Sequence, residues 1–252
     1  AESEVPVPQI DPEVRRRRIT GLINNASLRR EKPALYIIED VHWIDTVSES
    51  MLALFLDVIP STASMVLITH RHFDHTGAIK PLRKRVDVPV RARSAKFTHG
   101  AAPLADREVI DVAGLRITVL HTPGHTGDSL SFLVECDGDR ALLSGDTILG
   151  SGTTVIDPTD GTLRDYMNSL NRIIVEGEDA VLLPAHGPDH PQVGPVARFY
   201  KAHREERIDQ IVTALDDLGV SARKAKPMKV VRAVYADVDK KLWPAARMSV
   251  KA

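Results

Sequence analysis

The sequence predicts an α/β fold, a sheet covered by helices, with a small helical appendage at the C-terminal end. Three observations carry this. Residues 34–69 run strand, helix, strand; residues 107–144 hold four short strands set apart by turn signals; residues from 195 onward read as helix. The 252 residues, 43% apolar and 27% charged, match an ordinary soluble globular protein and suffice for one large domain plus an appendage. The expected division is 1–32 (lead-in and helix), 33–192 (sheet-bearing domain) and 193–252 (helical domain).

Residues 1–12 are rich in proline and acid and read as an extended lead-in. A helix is expected over 13–31, with Val14, Ile19, Leu22 and Ile23 apolar and Asp11 before Pro12 as the start signal. Ala34–Ile38 is a continuous apolar run suited to a buried parallel strand. Ser48 caps a helix to Ile59, whose stripe is Met51, Leu52, Phe55 and Val58, and Pro60 ends it. Ser64–Thr69 is the next strand, which completes a right-handed βαβ unit. A helix near Thr76–Arg85, interrupted by Pro81, precedes strands at Arg107–Ile110, Leu115–Leu120, Ser129–Cys136 and Arg140–Ser144. Asp165–Val175 is helix and Ala180–Leu183 strand. One long helix runs from Pro195 to Leu218 and stops at Gly219; short helices broken at Pro227 follow.

Lys+Arg number 33 and Asp+Glu 34, a net charge of -1, so bulk charge does not mark a polyanion binder. Arg15, Arg16, Arg17 and Arg18 read as a solvated helix face. The single cysteine, Cys136, excludes an internal disulfide, and its strand setting suits a packed thiol rather than a nucleophile. No apolar run is long enough to span a bilayer, and no apolar core of signal-peptide type opens the chain. The cytoplasm is the expected location.

The strongest chemical signal is Thr69-His70-Arg71-His72-Phe73-Asp74-His75-Thr76-Gly77, which gathers three imidazoles and a carboxylate at the C-terminal end of a strand. These are donors for zinc, iron or manganese. Three further ligand types stand in turns after strands: His125 in Pro123-Gly124-His125, Asp146 in Gly145-Asp146-Thr147, and His186 in Ala185-His186-Gly187. Small residues beside each let the backbone come close to an ion. His121 reads as a rim residue, and His99 and His190 as exposed loop histidines. Tyr166 is open to two readings, pocket wall or core aromatic.

The His-x-His-x-Asp-His segment, followed in order by Gly-His-Thr, Gly-Asp-Thr and His-Gly-Pro, resembles the metallo-β-lactamase superfamily. Within it, the chain from about Met65 looks like the β-lactamase-like protein 2 branch, with a small winged-helix-like C-terminal domain carried by Ala202–Ile211 and Val234–Val238. The resemblance implies an αββα sandwich with two divalent ions, zinc first among them, on one rim. His70, His72 and His125 would hold the first ion, Asp74, His75 and His186 the second, with Asp146 bridging and Asp74 also orienting the nucleophile. It implies a hydrolase acting on a phosphodiester in single-stranded RNA or on a thioester or ester. The cations Arg71, Lys80, Arg83, Lys84 and Arg85 favour RNA unless they are only a solvated face.

Residues before about 70 point elsewhere. Tyr36–Asp45 resembles the Walker B strand of signal-transduction ATPases linked to class III adenylate cyclases, yet no phosphate loop of the Gly-x-x-x-x-Gly-Lys-Ser/Thr kind occurs. The expectation is a fusion in which this βαβ piece stands in for the hydrolase's own, without the opening hairpin. An unpaired sheet edge would then invite a homodimer. Two competing classes are a nucleotide-binding regulatory fragment and a catalytically impaired scaffold. Ala185 departs from a common glycine, and the last helix of the appendage looks incomplete at Ala252.

Overall fold

The computed structural model describes residues 64–112 and 114–251, with a few positions between 14 and 29. The Ala34–Ile38 strand, the Ser48–Ile59 helix and the Walker B-like segment lie outside the described residues. Within the expected helix 13–31, the described positions Val14, Arg18, Gly21, Leu22 and Asn25 are helical.

The centre is a five-stranded sheet of β3 (Val109–Val112), β4 (Leu115–His121), β5 (Leu130–Cys136), β6 (Asp139–Gly145) and β7 (Val181–Pro184), in that order. The first four are antiparallel, with Val119 opposite Phe132 and Phe132 opposite Leu143. β7 lies parallel to β6, so their connection crosses over through helix α3 (Leu163–Gly177). Ahead of this sheet, β1 (Val66–Leu67) pairs parallel with β2 (Val90–Arg91), and helices α1 (Phe73–Thr76) and α2 (Ile79–Arg83) lie between them.

Apolar side chains pack on both faces of the large sheet. Leu120, Leu133, Leu142 and Leu182 meet Tyr166, Leu170 and Ile173 of α3 and Val193, Ala197 and Tyr200 of helix α4 (Val193–Asp217). Ile117, Val119, Phe132 and Val134 pack on the other face with Leu104 and the half-buried Leu67. Burial on two sides explains why β5 reads as an unbroken apolar run rather than an alternation. α3 starts at Thr162, whose hydroxyl accepts the Asp165 amide at 3.1 Å. After α4 come α5 (Pro227–Val234), which buries Val230 and Val231, and α6 (Trp243–Lys251). Arg207 of α4 stacks 4.9 Å over the Tyr235 ring, tying α5 to the long helix.

Three local readings are corrected. The expected Thr76–Arg85 helix shrinks to α2, and Pro81 does not interrupt it: Pro81 is its third residue, in the first turn, where its missing N–H is not needed, so the helix cannot start earlier than about Ala78. The Ser64–Thr69 strand is regular only at Val66–Leu67, and its partner β2 was missed, being two residues long beside Pro89. His190 is half-buried, bridges to Leu182 and sets Nε2 2.8 Å from the Gly150 carbonyl, so it is not an exposed loop histidine. Tyr166 resolves as a core aromatic: it is fully buried and donates its hydroxyl to the Thr147 carbonyl at 2.8 Å.

Candidate metal centre

The rim at the C-terminal ends of β1, β4, β6 and β7 brings all seven expected residues together. The backbone first fixes the loop after β1: Leu130 of β5 donates its amide to the Thr69 carbonyl at 2.8 Å, docking that loop against the sheet. His70 and His72 then project inward, and the single turn of α1 carries Asp74 and His75 to the neighbouring position. His125 follows β4, Asp146 follows β6 and His186 follows β7. Ala185 is not in the left-handed region; Gly187 takes that role, with φ at 87°, so alanine at 185 does not displace His186.

Two four-donor sets result, His70, His72, His125 and Asp146, and Asp74, His75, Asp146 and His186. Asp146 Oδ2 lies 4.0 Å from His70 Nε2 and 3.6 Å from His125 Nε2, while Oδ1 lies 3.3 Å from His75 Nε2 and 3.5 Å from His186 Nε2. Asp74 Oδ2 is 3.5 Å from His75 Nε2 and 3.4 Å from His186 Nε2. Four donors about 2.0–2.1 Å from a tetrahedral ion stand roughly 3.3 Å from one another. The spacings therefore match a pair of adjacent cation positions sharing one carboxylate.

The outer hydrogen bonds decide which nitrogens face inward. His125 Nδ1 donates to the Val155 carbonyl at 2.5 Å, and His72 Nε2 donates to Asp157 Oδ2 at 3.0 Å. Neutral imidazole carries one N–H, so these bonds leave lone pairs on His125 Nε2 and His72 Nδ1. Those two atoms are 3.0 Å apart, and His72 Nδ1 is also 3.0 Å from His70 Nε2. Lone pairs converging this closely call for a cation between them. Asp146 Oδ1 adds a buried carboxylate oxygen with no well-formed hydrogen bond. The residues present thus fit a pair of metal ions.

Electrostatics agrees. Burial, then the neighbouring His75, His125 and His72 rings, pushes the His70 pKa far down, and burial lowers that of His125 as well. Both imidazoles are held neutral, the form that binds metal. Burial works against the Asp146 carboxylate, but His75, His125 and His186 outweigh it and hold its pKa below the usual range.

Sequence reasoning missed Asp157. It braces His72 from behind and pairs with Arg71 Nη2 at 2.7 Å, while Arg71 also bonds Asp160 Oδ1 at 2.7 Å. Arg71, one of the cations open to an RNA-facing or a solvated reading, is instead tied by ion pairs to Asp157 and Asp160. A single aspartate in the Ile156-Asp157-Pro158 loop carries no spacing signal that would have found it. Asp157→Ala is expected to weaken metal binding about 10–100-fold, because outer carboxylates fix ligand tautomer and orientation. Competition against a chromogenic chelator measures this; unchanged affinity would contradict it. His121 bonds the Gly127 carbonyl through Nε2 at 2.9 Å and stays outside both donor sets, as the rim reading expects.

A sheet with apolar clusters on both faces, and two histidine–carboxylate sets sharing an aspartate at one rim, defines an α/β fold with a cluster able to hold metal ions. The chain belongs to the metallo-beta-lactamase superfamily, whose family model matches residues 44–186; the model of a beta-lactamase associated winged helix domain matches residues 227–252. The family match begins at residue 44, ahead of Met65, from which the motifs resemble the family. The chain is 32% identical to the lactamase-like protein vrtG of Penicillium aethiopicum over 79% of this chain and 62% of that one. It is 30% identical to a beta-lactamase-like protein 2 homolog of Drosophila melanogaster (73% and 65% covered). An atrochrysone carboxyl ACP thioesterase of Passalora fulva is also 30% identical (70% and 50%). The chain thus spans about half to two thirds of the length of these relatives. A metallo-beta-lactamase family protein from Thermus thermophilus shares the fold, with a TM-score of 0.61 at 20% identity, covering 82% of this chain and 78% of that one. Among the described residues no helix is long and apolar enough to cross a membrane.

Proposed function

We propose that this chain is a metal-dependent hydrolase of a thioester or related ester, with His70, His72 and His125 at one metal position, Asp74, His75 and His186 at the other, and Asp146 shared between them. The observation that carries the proposal is the convergence of outer-braced lone pairs on His72 and His125 beside the two-sided Asp146 carboxylate. When bound, two divalent ions, zinc by preference, supply a hydroxide at neutral pH and polarise the oxygen of the group under attack.

The protein's own groups do the rest. Asp74, about a third exposed at the edge of its donor set, orients the nucleophile and accepts its proton, to be returned to the leaving thiolate or alkoxide. His125 and His72, braced by Val155 and Asp157, resist reorientation while charge develops. Choice of a thioester over RNA rests on two points. Arg71 is committed to Asp157 and Asp160, and Lys80, Arg83, Lys84 and Arg85 are exposed around α2 rather than directed into the rim. A relative at 30% identity carries a thioesterase name.

The test is a paired assay of the zinc-reconstituted protein on an acyl thioester and on a single-stranded RNA, each beside Asp74→Ala. Thioester hydrolysis that falls about 100-fold or more in the variant is expected. Metal-dependent RNA cleavage without thioester hydrolysis would overturn the substrate assignment.

A further inference from the structure

We infer that Arg204, a residue of the long helix α4 outside both donor sets, is the positioning residue that holds His125 and, through the same backbone segment, His72 in ligating geometry. The inference rests on the metal-centre reading above. Arg204 is only 6% exposed, yet no carboxylate pairs with it among the described residues. Its guanidinium donates through Nη2 to the Thr154 carbonyl and lies 5.3 Å over the Tyr166 ring, and Nε has no hydrogen-bond partner. A buried cation held by a carbonyl and a tyrosine, with no carboxylate among the described residues, is expensive, and an apolar side chain would fill that space at lower electrostatic cost. Its contacts show what it holds instead.

Both groups that Arg204 touches bracket His125. Thr154 sets its hydroxyl 3.2 Å from His125 Nδ1, the next residue's carbonyl accepts the Nδ1 proton, and Asp157 donates its amide to the His125 carbonyl at 2.8 Å. The segment 154–157 therefore grips His125 at three points, and its last residue braces His72. On the opposite side, Tyr166 packs its backbone directly against Gly124, the residue before His125. Arg204 is where the long helix fastens this segment. Helix α4 in turn leads to α5 and α6, so the hold on His125 originates in the element that joins the sheet to the winged-helix-like region.

Zinc affinity at each position, read by stepwise chelator competition, and hydrogen exchange of the His125 Nδ1–H in histidine-labelled, metal-free protein test this together. Arg204→Met is expected to weaken one zinc position about 10–100-fold, leave the other nearly unchanged and accelerate the exchange. Arg204→Lys is expected to recover part of both effects. Arg198→Met, on the same helix but exposed and paired with Glu178, is expected to behave as the parent. Should Arg204→Met not fold, Thr154→Val, which keeps shape but loses the hydroxyl, must weaken the same position. Unchanged exchange and affinity in a folded Arg204→Met, equal weakening of both positions, or a silent Thr154→Val beside an unfolded Arg204→Met would each overturn the inference. If the parent binds no zinc but Arg204→Met still accelerates exchange, the metal reading fails while the positioning role stands.

Discussion

Asp146→Ala is expected to abolish binding at one metal position and weaken the other, with hydrolysis falling at least about 100-fold, further than loss of an outer-shell brace. The reason is its double engagement. Oδ1 faces His75 and His186, Oδ2 faces His70 and His125, and the side chain is largely withdrawn from water. Removing it also leaves five histidine rings and Asp74 crowded with only one carboxylate to balance bound cations. Asp146→Asn sharpens the test, because the amide keeps the shape and can donate toward one imidazole but cannot bridge two cations. Elemental analysis after reconstitution reads the outcome; two ions retained with parental affinity would remove Asp146 from its central place.

Gly124→Ala is expected to destabilise the fold by about 2–5 kcal/mol, from backbone strain and overpacking combined. Its φ of 137° is one that side-chain-bearing residues rarely adopt, and an added methyl would stand 2.4 Å from the Tyr166 Cα and 2.5 Å from its amide nitrogen. Those are backbone atoms of α3, locked in the core by Tyr166 and Leu170, so they do not yield as a flexible side chain would. Relief comes only by moving the turn, which carries His125 with it. Chemical denaturation should show the loss of stability, and zinc binding at the His125 position should weaken in parallel. A variant within about 1 kcal/mol of the parent would mean that this turn is softer than its packing indicates.

The seven candidate ligands were legible in two ways: His70, His72, Asp74 and His75 are packed into six residues after one strand, and His125, Asp146 and His186 each follow a strand beside Gly, Thr or Ala. The sheet was legible because Leu130–Cys136 and Leu115–His121 are long enough for periodicity and turn signals to act. Illegible were the residues that support the site across the fold. Asp157 lies 85 positions from His72 and Thr154 29 from His125, and nothing in an isolated loop aspartate or threonine announces which way it turns. Arg204 sits in a helix rich in charged residues, where one arginine facing inward looks like its neighbours. The pairing of Arg71 is illegible for the complementary reason: its partners Asp157 and Asp160 come from a distant loop, so nothing near it in sequence shows that the cation is engaged. Strand β2 was too short for any period to register.

Elemental analysis of the purified protein, stripped by chelator and reconstituted with zinc, decides whether one rim of this sandwich holds two cations on the Asp146 carboxylate. About two equivalents per chain are expected, bound in two resolvable steps, with Asp146→Ala losing one and weakening the other. A folded protein that takes up no zinc, iron or manganese, or that saturates at a single ion without disturbing Asp146, would contradict it.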